Sequence, residues 1–223
     1  MLILFLIIVF FIYTNNSGES NNLCKNQKNV LGVNDSLKVI KLENYNQLRD
    51  ELLTDISIKL NKETCCEENE FLLELENGKK VNIFLSNNCK SCEPFFHHHW
   101  FFSKILINRE NQVLINEKLC NLDSVSDRIN LILKEDENSL NEDIGIVWDL
   151  TADKNIIEKV ISKTQDGYLL YYSDIAREKF NLELCDLTEV QLAEVKERNK
   201  SQFHIAFGYR FYELLPKNKI NGN

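Results

Sequence analysis

Residues 1–13 read MLILFLIIVFFIY, apolar at every position, and no charged side chain appears before Glu19. Residues 14–36 are rich in Asn and Ser, lack hydrophobic periodicity and read as a linker. Leu48, Leu52, Leu53, Ile56 and Leu60 then recur at helical spacing and predict an amphipathic helix over 45–60. The runs 71–75 and 81–85 flank Glu76-Asn77-Gly78-Lys79-Lys80 and predict a hairpin, with Asn-Gly favoured where both turn residues take positive φ. A second hairpin is expected from 104–108 and 112–116 around Arg109-Glu110-Asn111. Over 122–133, Leu122, Val125, Ile129, Ile132 and Leu133 share a helical face, and Asp123 and Ser124 suit its first turn.

The apolar run 144–148 has strand length. A long helix follows over 153–180, its stripe set by Ile156, Ile157, Val160 and Ile161 and continued by Leu169, Tyr172, Ile175 and Ala176. Gly167 would interrupt it at a cost of about 1 kcal/mol. Thr188 is placed to cap a further helix over 188–199, with Gln191 at capping-box spacing, and 203–207 closes the domain as a strand. From residue 104 the order is β-β-α-β-α-(α)-β. This predicts an α/β (α+β) fold: a ββαβαβ two-layer domain with a mixed sheet over 104–209, and a helix-plus-hairpin extension over 37–103. A tail covers 210–223. The expected core includes Leu106, Ile107, Leu114, Leu122, Val125, Ile129, Ile146, Val147, Ile157, Val160 and Ile161.

The apolar first segment sets the expected compartment. At 1.5 Å per residue it would reach about 20 Å as a helix, short of a hydrocarbon core of about 30 Å. It reads as a membrane anchor, a cleaved signal or the remnant of a longer start. No Lys or Arg precedes Lys25, and Asn15-Asn16-Ser17-Gly18 does not resemble a small-residue cleavage site. Each alternative sends the remaining chain to an extracytoplasmic, periplasmic location, either anchored or secreted.

Composition narrows the function. The 26 Lys and Arg against 34 Asp and Glu give a net charge of −8, carried wholly beyond the apolar segment. An acidic domain does not suit nucleic acid, whose phosphates need a basic stripe. Two prolines and seven glycines are few for a turn-dense sandwich or propeller. Asparagine is abundant, and we read that as compositional bias. Seven cysteines, an odd number, predict several disulfides and at least one unpaired thiol in an oxidising compartment.

The hairpin stretch from Ile105 to Glu117, the helix opening Asn121-Leu122-Asp123-Ser124-Val125, the Val147-Trp148-Asp149 strand end with Asp153 beyond it, and YLLYYSDIAREKF over 168–180 carry a family likeness. They resemble the periplasmic domain of the ExbD/TolR family, small subunits of proton-driven energy transducers. The resemblance covers about half the chain and consists of hydrophobic patterns. It implies a membrane-tethered, non-catalytic protein that binds protein partners, a homodimer being one form, with no cofactor. Residues 1–13 hold no carboxylate, His, Lys or Arg, so the intramembrane aspartate that couples protons in that family has no counterpart among them.

The densest candidate chemistry is Cys89-Lys90-Ser91-Cys92-Glu93-Pro94-Phe95-Phe96-His97-His98-His99-Trp100. Cys89, Cys92, His97 and His99 offer thiolate and imidazole donors for zinc or copper. Structural zinc sites separate their ligand pairs by a dozen or more residues, whereas these four could staple only one loop. A thiol-redox reading needs a helix after C-x-x-C and a proline beside the disulfide, and strand-like sequence resumes by Lys104. The simpler reading is a loop tied by a disulfide. His204, the Tyr168, Tyr171 and Tyr172 cluster, Glu67-Glu68 and Glu135-Asp136-Glu137 read as packing or solvated turns. Nucleophile elbow, P-loop, dinucleotide-binding and H-E-x-x-H patterns are absent.

Two classes therefore stand: a non-catalytic extracytoplasmic binding protein, and an exported thiol or metal-binding protein using the Cys89, Cys92 and His97 to His99 loop. Intact mass with and without reductant, with metal analysis of untagged protein, separates them. One equivalent of metal, lost in Cys92→Ser, marks the second class. In the first, Cys65 or Cys66 bridges to Cys89 or Cys92 across the ends of the first hairpin. Seven reactive thiols, trapped at lysis from the native compartment, would overturn both the bridge and the oxidising location.

Overall fold

A computed structural model describes residues 23–47, 49–61, 68–86, 103–135, 143–198 and 203–205. The elements are α1 (Lys25–Val30), β1 (Val39–Ile40), α2 (Arg49–Leu60), β2 (Glu68–Glu74), β3 (Lys80–Ser86), β4 (Ser103–Ile107), β5 (Val113–Ile115), β6 (Lys118–Cys120), α3 (Val125–Glu135), β7 (Ile144–Trp148), α4 (Lys154–Phe180), α5 (Glu189–Glu197) and β8 (Phe203–Ile205). Short 3₁₀ turns at Leu122–Ser124 and Leu184–Asp186 lead into α3 and α5. The expected mixed α/β architecture is present. The eight strands among the described residues form one sheet in the order β1-β2-β3-β8-β7-β4-β5-β6. β8 lies parallel to both β3 and β7, so the first hairpin shares a sheet with the later strands.

Both predicted hairpins form, with β2 pairing antiparallel to β3 and β4 to β5. The first turn differs from expectation, because Gly78 alone takes positive φ (78°). Leu75 N–H bonds to Lys79 O at 2.9 Å and Gly78 N–H to Leu75 O at 2.9 Å, a tight turn followed by a left-handed residue. β6 was not anticipated. It folds back on β5 through Asn116 (φ 49°) and Glu117 (φ 66°), a pair of left-handed residues without the glycine that marks such turns.

Strand alternation sets the core. Ile105, Ile107, Val113, Ile115, Ile144 and Ile146 are buried, and Ile40, Phe71, Leu73, Val81, Ile83 and Leu85 belong to the same cluster. The helical residues Leu52, Ile56, Val125, Ile129, Ile157, Val160 and Ile161 complete it. Of the expected core, Leu106, Leu114, Leu122 and Val147 are only half-buried. Leu106, Leu114 and Val147 are registered with one another across β4, β5 and β7, on the face turned away from that cluster. A one-residue step along a strand reverses the side chain's direction, so apolar runs such as SKILI cannot be buried throughout on one face.

Helix α4 runs unbroken through Gly167. Asp153 caps it, its carboxylate accepting from Asn155 N–H at 2.7 Å. Asn181 (φ 54°) ends it in the left-handed conformation, and Arg177 and Lys179 lie in the last turn where cations suit the helix dipole. Gly167 is a contact point. A Cβ there would stand 2.6 Å from Ile129 Cβ and 2.8 Å from Ser126 O, both on α3. The capping box expected at α5 is present, with Thr188 and Gln191 reciprocally bonded. α1 occupies part of the stretch read as linker. Its six residues carry too little periodicity for sequence recognition, and its placement comes from tertiary contacts.

Gly167→Ala tests the α3–α4 contact. Ala gains helix propensity of about 1 kcal/mol, but the added methyl must move a backbone carbonyl. We expect a net loss of about 1–3 kcal/mol, read from the urea midpoint. A stabilised variant would show that the two helices separate freely.

Candidate functional site

Cys89, Cys92, His97 and His99 lie outside the described residues, as do Cys65 and Cys66. The proposed metal set and hairpin bridge are therefore carried by sequence alone. Among the described residues no cluster of three or more His, Cys, Asp or Glu side chains could hold a metal ion. Residues 1–13 also lie outside, and no helix of the described residues is long and apolar enough to cross a membrane. His204 sits on β8 opposite Phe84 of β3 and Gly145 of β7.

The covalent feature on view was not anticipated: Cys24 and Cys185 form a disulfide across 161 residues, with Cα atoms 6.0 Å apart. Its surroundings are built to receive α1. Asn26 Nδ2 donates to Leu184 O at 3.0 Å and Leu187 O at 2.9 Å, with a longer contact to Cys185 O at 3.4 Å. Lys25 pairs with Glu189 at 3.1 Å, and Lys196 Nζ donates to Asn29 Oδ1 at 2.8 Å. Gln27 reaches back to accept from the Cys24 N–H at 3.0 Å, which starts the helix. In the chain-entropy picture, closing so long a loop stabilises by about 5 kcal/mol. Gln27 three residues after Cys24 was the one local cue for α1. The pairing itself had no cue, because connectivity depends on the fold.

A polar seam forms where the first hairpin meets the N-terminal half of α4. Glu158, buried on α4, accepts the Glu76 N–H at 2.8 Å and faces Lys154 at 4.0 Å, while Lys154 pairs with Glu76 at 2.7 Å. Lys79 reaches Ser162 O at 3.1 Å, Ser162 Oγ at 3.0 Å and Asp166 at 2.6 Å. Gln165 donates to Lys80 O at 3.0 Å. Beneath the seam, Tyr45 meets Trp148 edge-on, with centroids 5.7 Å apart, and its carbonyl accepts from the indole N–H at 2.9 Å. Asn46, with its amide turned to donate, bridges Leu150 O and Ala152 O at 3.1 Å each.

These groups hold the fold together. Burial, and then the neighbouring Glu158, push the Tyr45 hydroxyl far above its ordinary range. It stays protonated, stands beside Glu158 without an aligned hydrogen bond, and is sealed from solvent. Glu158 is engaged by a backbone amide. Cys120, the free cysteine among the described residues, is half-buried, and burial pushes its thiol up, away from a reactive thiolate. The tyrosines of α4 pack as expected, Tyr171 and Tyr172 edge-on at 5.3 Å, and burial raises Tyr172.

Neither a protein-family model nor a curated protein matches the chain.

The seam and the Asp174 pairs between α3 and α4 predict an acid response. The Lys154 hydrogen bond holds the Glu76 carboxyl below its ordinary value. Burial pushes Asp174 up, but hydrogen bonds from Lys134 and Asn130 outweigh it and leave that carboxyl lowered too. A carboxyl depressed in the folded state contributes stability that is present above its unfolded pKa and lost as pH falls through the folded value. We expect the urea midpoint to be level above about pH 5 and to fall below about pH 4, with a shallower fall in Lys154→Met. A flat profile down to pH 2 would exclude these pairs as contributors.

Proposed function

We propose that this chain is a membrane-tethered extracytoplasmic protein that acts by binding protein partners and not by catalysis, in the manner of ExbD/TolR-type subunits. The observation that carries the reading is the Cys24–Cys185 disulfide, ten residues beyond an uninterrupted apolar segment. Disulfides persist in oxidising compartments, and an apolar segment before such a domain suits an anchor or an export signal. The element order gives secondary support. From β4 the chain runs strand, strand, helix, strand, helix, helix, strand, with β6 and two 3₁₀ turns added. Residues 1–13 contain no Asp, Glu, His, Lys or Arg, so the part of that family's role carried over here is docking.

The test is a C-terminal alkaline phosphatase fusion to the full chain, expressed in a bacterium and followed through carbonate extraction. We expect phosphatase activity, which requires export, and retention in the membrane pellet. Inactive fusion in the soluble cytosolic fraction would overturn the reading. Active fusion released by carbonate would replace the anchor with a cleaved signal.

A further inference from the structure

Ahead of the first sheet strand, one covalent bond decides where the chain is first held to the domain. We propose that the Cys24–Cys185 disulfide is a reducible clasp. Oxidised, it holds α1 against the 3₁₀ turn and α5, and the described chain is first held at Cys24. Reduced, α1 leaves and the chain is next held at Val39, where β1 enters the sheet. The release stands on the structure alone, and its meaning as a change of tether length rests on the membrane-tethering reading above.

Three observations carry the release. Cys185 is exposed and Cys24 only half-buried, so a thiolate can reach the bond; exposed disulfides are the labile ones. The helix it holds has only six residues, too few to persist in water by itself. Apart from the bond, α1 is held mainly by polar contacts: the Asn26 amide, the exposed Lys25–Glu189 pair and the Lys196–Asn29 hydrogen bond. Val30 is its one buried apolar side chain. Water can replace the polar contacts once α1 moves, so the covalent link carries most of the specificity of docking.

The chemistry balances with a dithiol as reductant. Its thiolate attacks one cysteine sulfur, the S–S bond breaks, and the other cysteine leaves as a thiolate and is protonated. The second dithiol sulfur then closes on the first, releasing the remaining cysteine as a thiol. Two electrons and two protons pass to the protein, and the dithiol departs as its own disulfide.

The consequence is geometric. Ten residues separate Tyr13 from Cys24, a reach of at most about 35 Å, and twenty-five separate it from Val39, about 85 Å. Reduction would let the domain stand off more than twice as far from its anchor.

Hydrogen exchange on the full wild-type chain, before and after dithiothreitol, tests the clasp, with mass mapping to verify that this bond has opened. We expect exchange over residues 25–31, and tryptic cleavage after Lys25 and Lys28, to rise at least tenfold and to outpace β4 and β7, which lose protection only through the lower global stability of the opened loop. Cys185→Ser should match the reduced wild type without reductant. Unchanged exchange with the bond shown open, β4 and β7 exchanging as fast as residues 25–31 in the reduced protein, or oxidised protein in which Cys24 and Cys185 are not linked would each overturn the clasp. Flotation with phosphatidylethanolamine and phosphatidylglycerol vesicles reports on the tether separately. Protein that exchanges as stated but does not float keeps the clasp and loses the membrane reading.

Discussion

The close approach of α3 and α4 at Gly167 is the contact on which the arrangement turns. Without a side chain there, α4 can lie against Ile129 and the Ser126 carbonyl of α3. That position lets Ile157, Val160 and Ile161 join the core while Asp174 remains within reach of Asn130 at 3.0 Å and Lys134 at 2.6 Å. Helix α4 then serves three neighbours in turn. Its first turns receive the β2–β3 hairpin through Glu158, Ser162, Gln165 and Asp166. Its middle packs on α3. Its last turn leads through the Arg177–Glu183 pair, with two bonds of 2.9 Å, to the 3₁₀ turn that carries Cys185.

The turns depend on a residue type whose abundance invited a blander explanation. Four of the five non-glycine residues with positive φ among those described are asparagines: Asn61, Asn111, Asn116 and Asn181. Asn108 organises the β4–β5 turn by accepting from Glu110 N–H at 3.1 Å and Gln112 N–H at 2.8 Å, and Asn111 Oδ1 accepts the Asp153 N–H at 2.7 Å. Asparagine tolerates the left-handed region because its short amide bonds locally. Whatever enriched it in the chain, the fold uses it where another sequence would place glycine.

Local periodicity made most elements legible. The 144–148 strand matches β7, the 188–199 helix carries its capping box, and the long helix ends where Asn181 stops it. What escaped the sequence was non-local. Glu158 sits beside an apolar stripe, and nothing local in the sequence says that the hairpin turn lies over it or that Lys79 reaches α4. Cys24 and Cys185 lie 161 residues apart, and only the docking of α1 brings them together. β6 needed a left-handed Glu117, which no turn rule favours. The half-buried Leu106, Leu114 and Val147 show the opposite limit, since periodicity marks a strand as apolar without saying which face holds the core.

The sheet's borders carry a further consequence. It ends on one side in β1, of two residues, and on the other in β6, of three. At β6 a foreign strand would find less than the five or six residues of a typical strand, and Lys118 places a charge on that rim; at the other rim β1 pairs with Leu72 and Leu73 of β2. The long, flat, unpaired edge from which cross-β fibres grow is missing at both of these strands. Short borders of this kind discourage copies of the chain from pairing edge to edge into polymer.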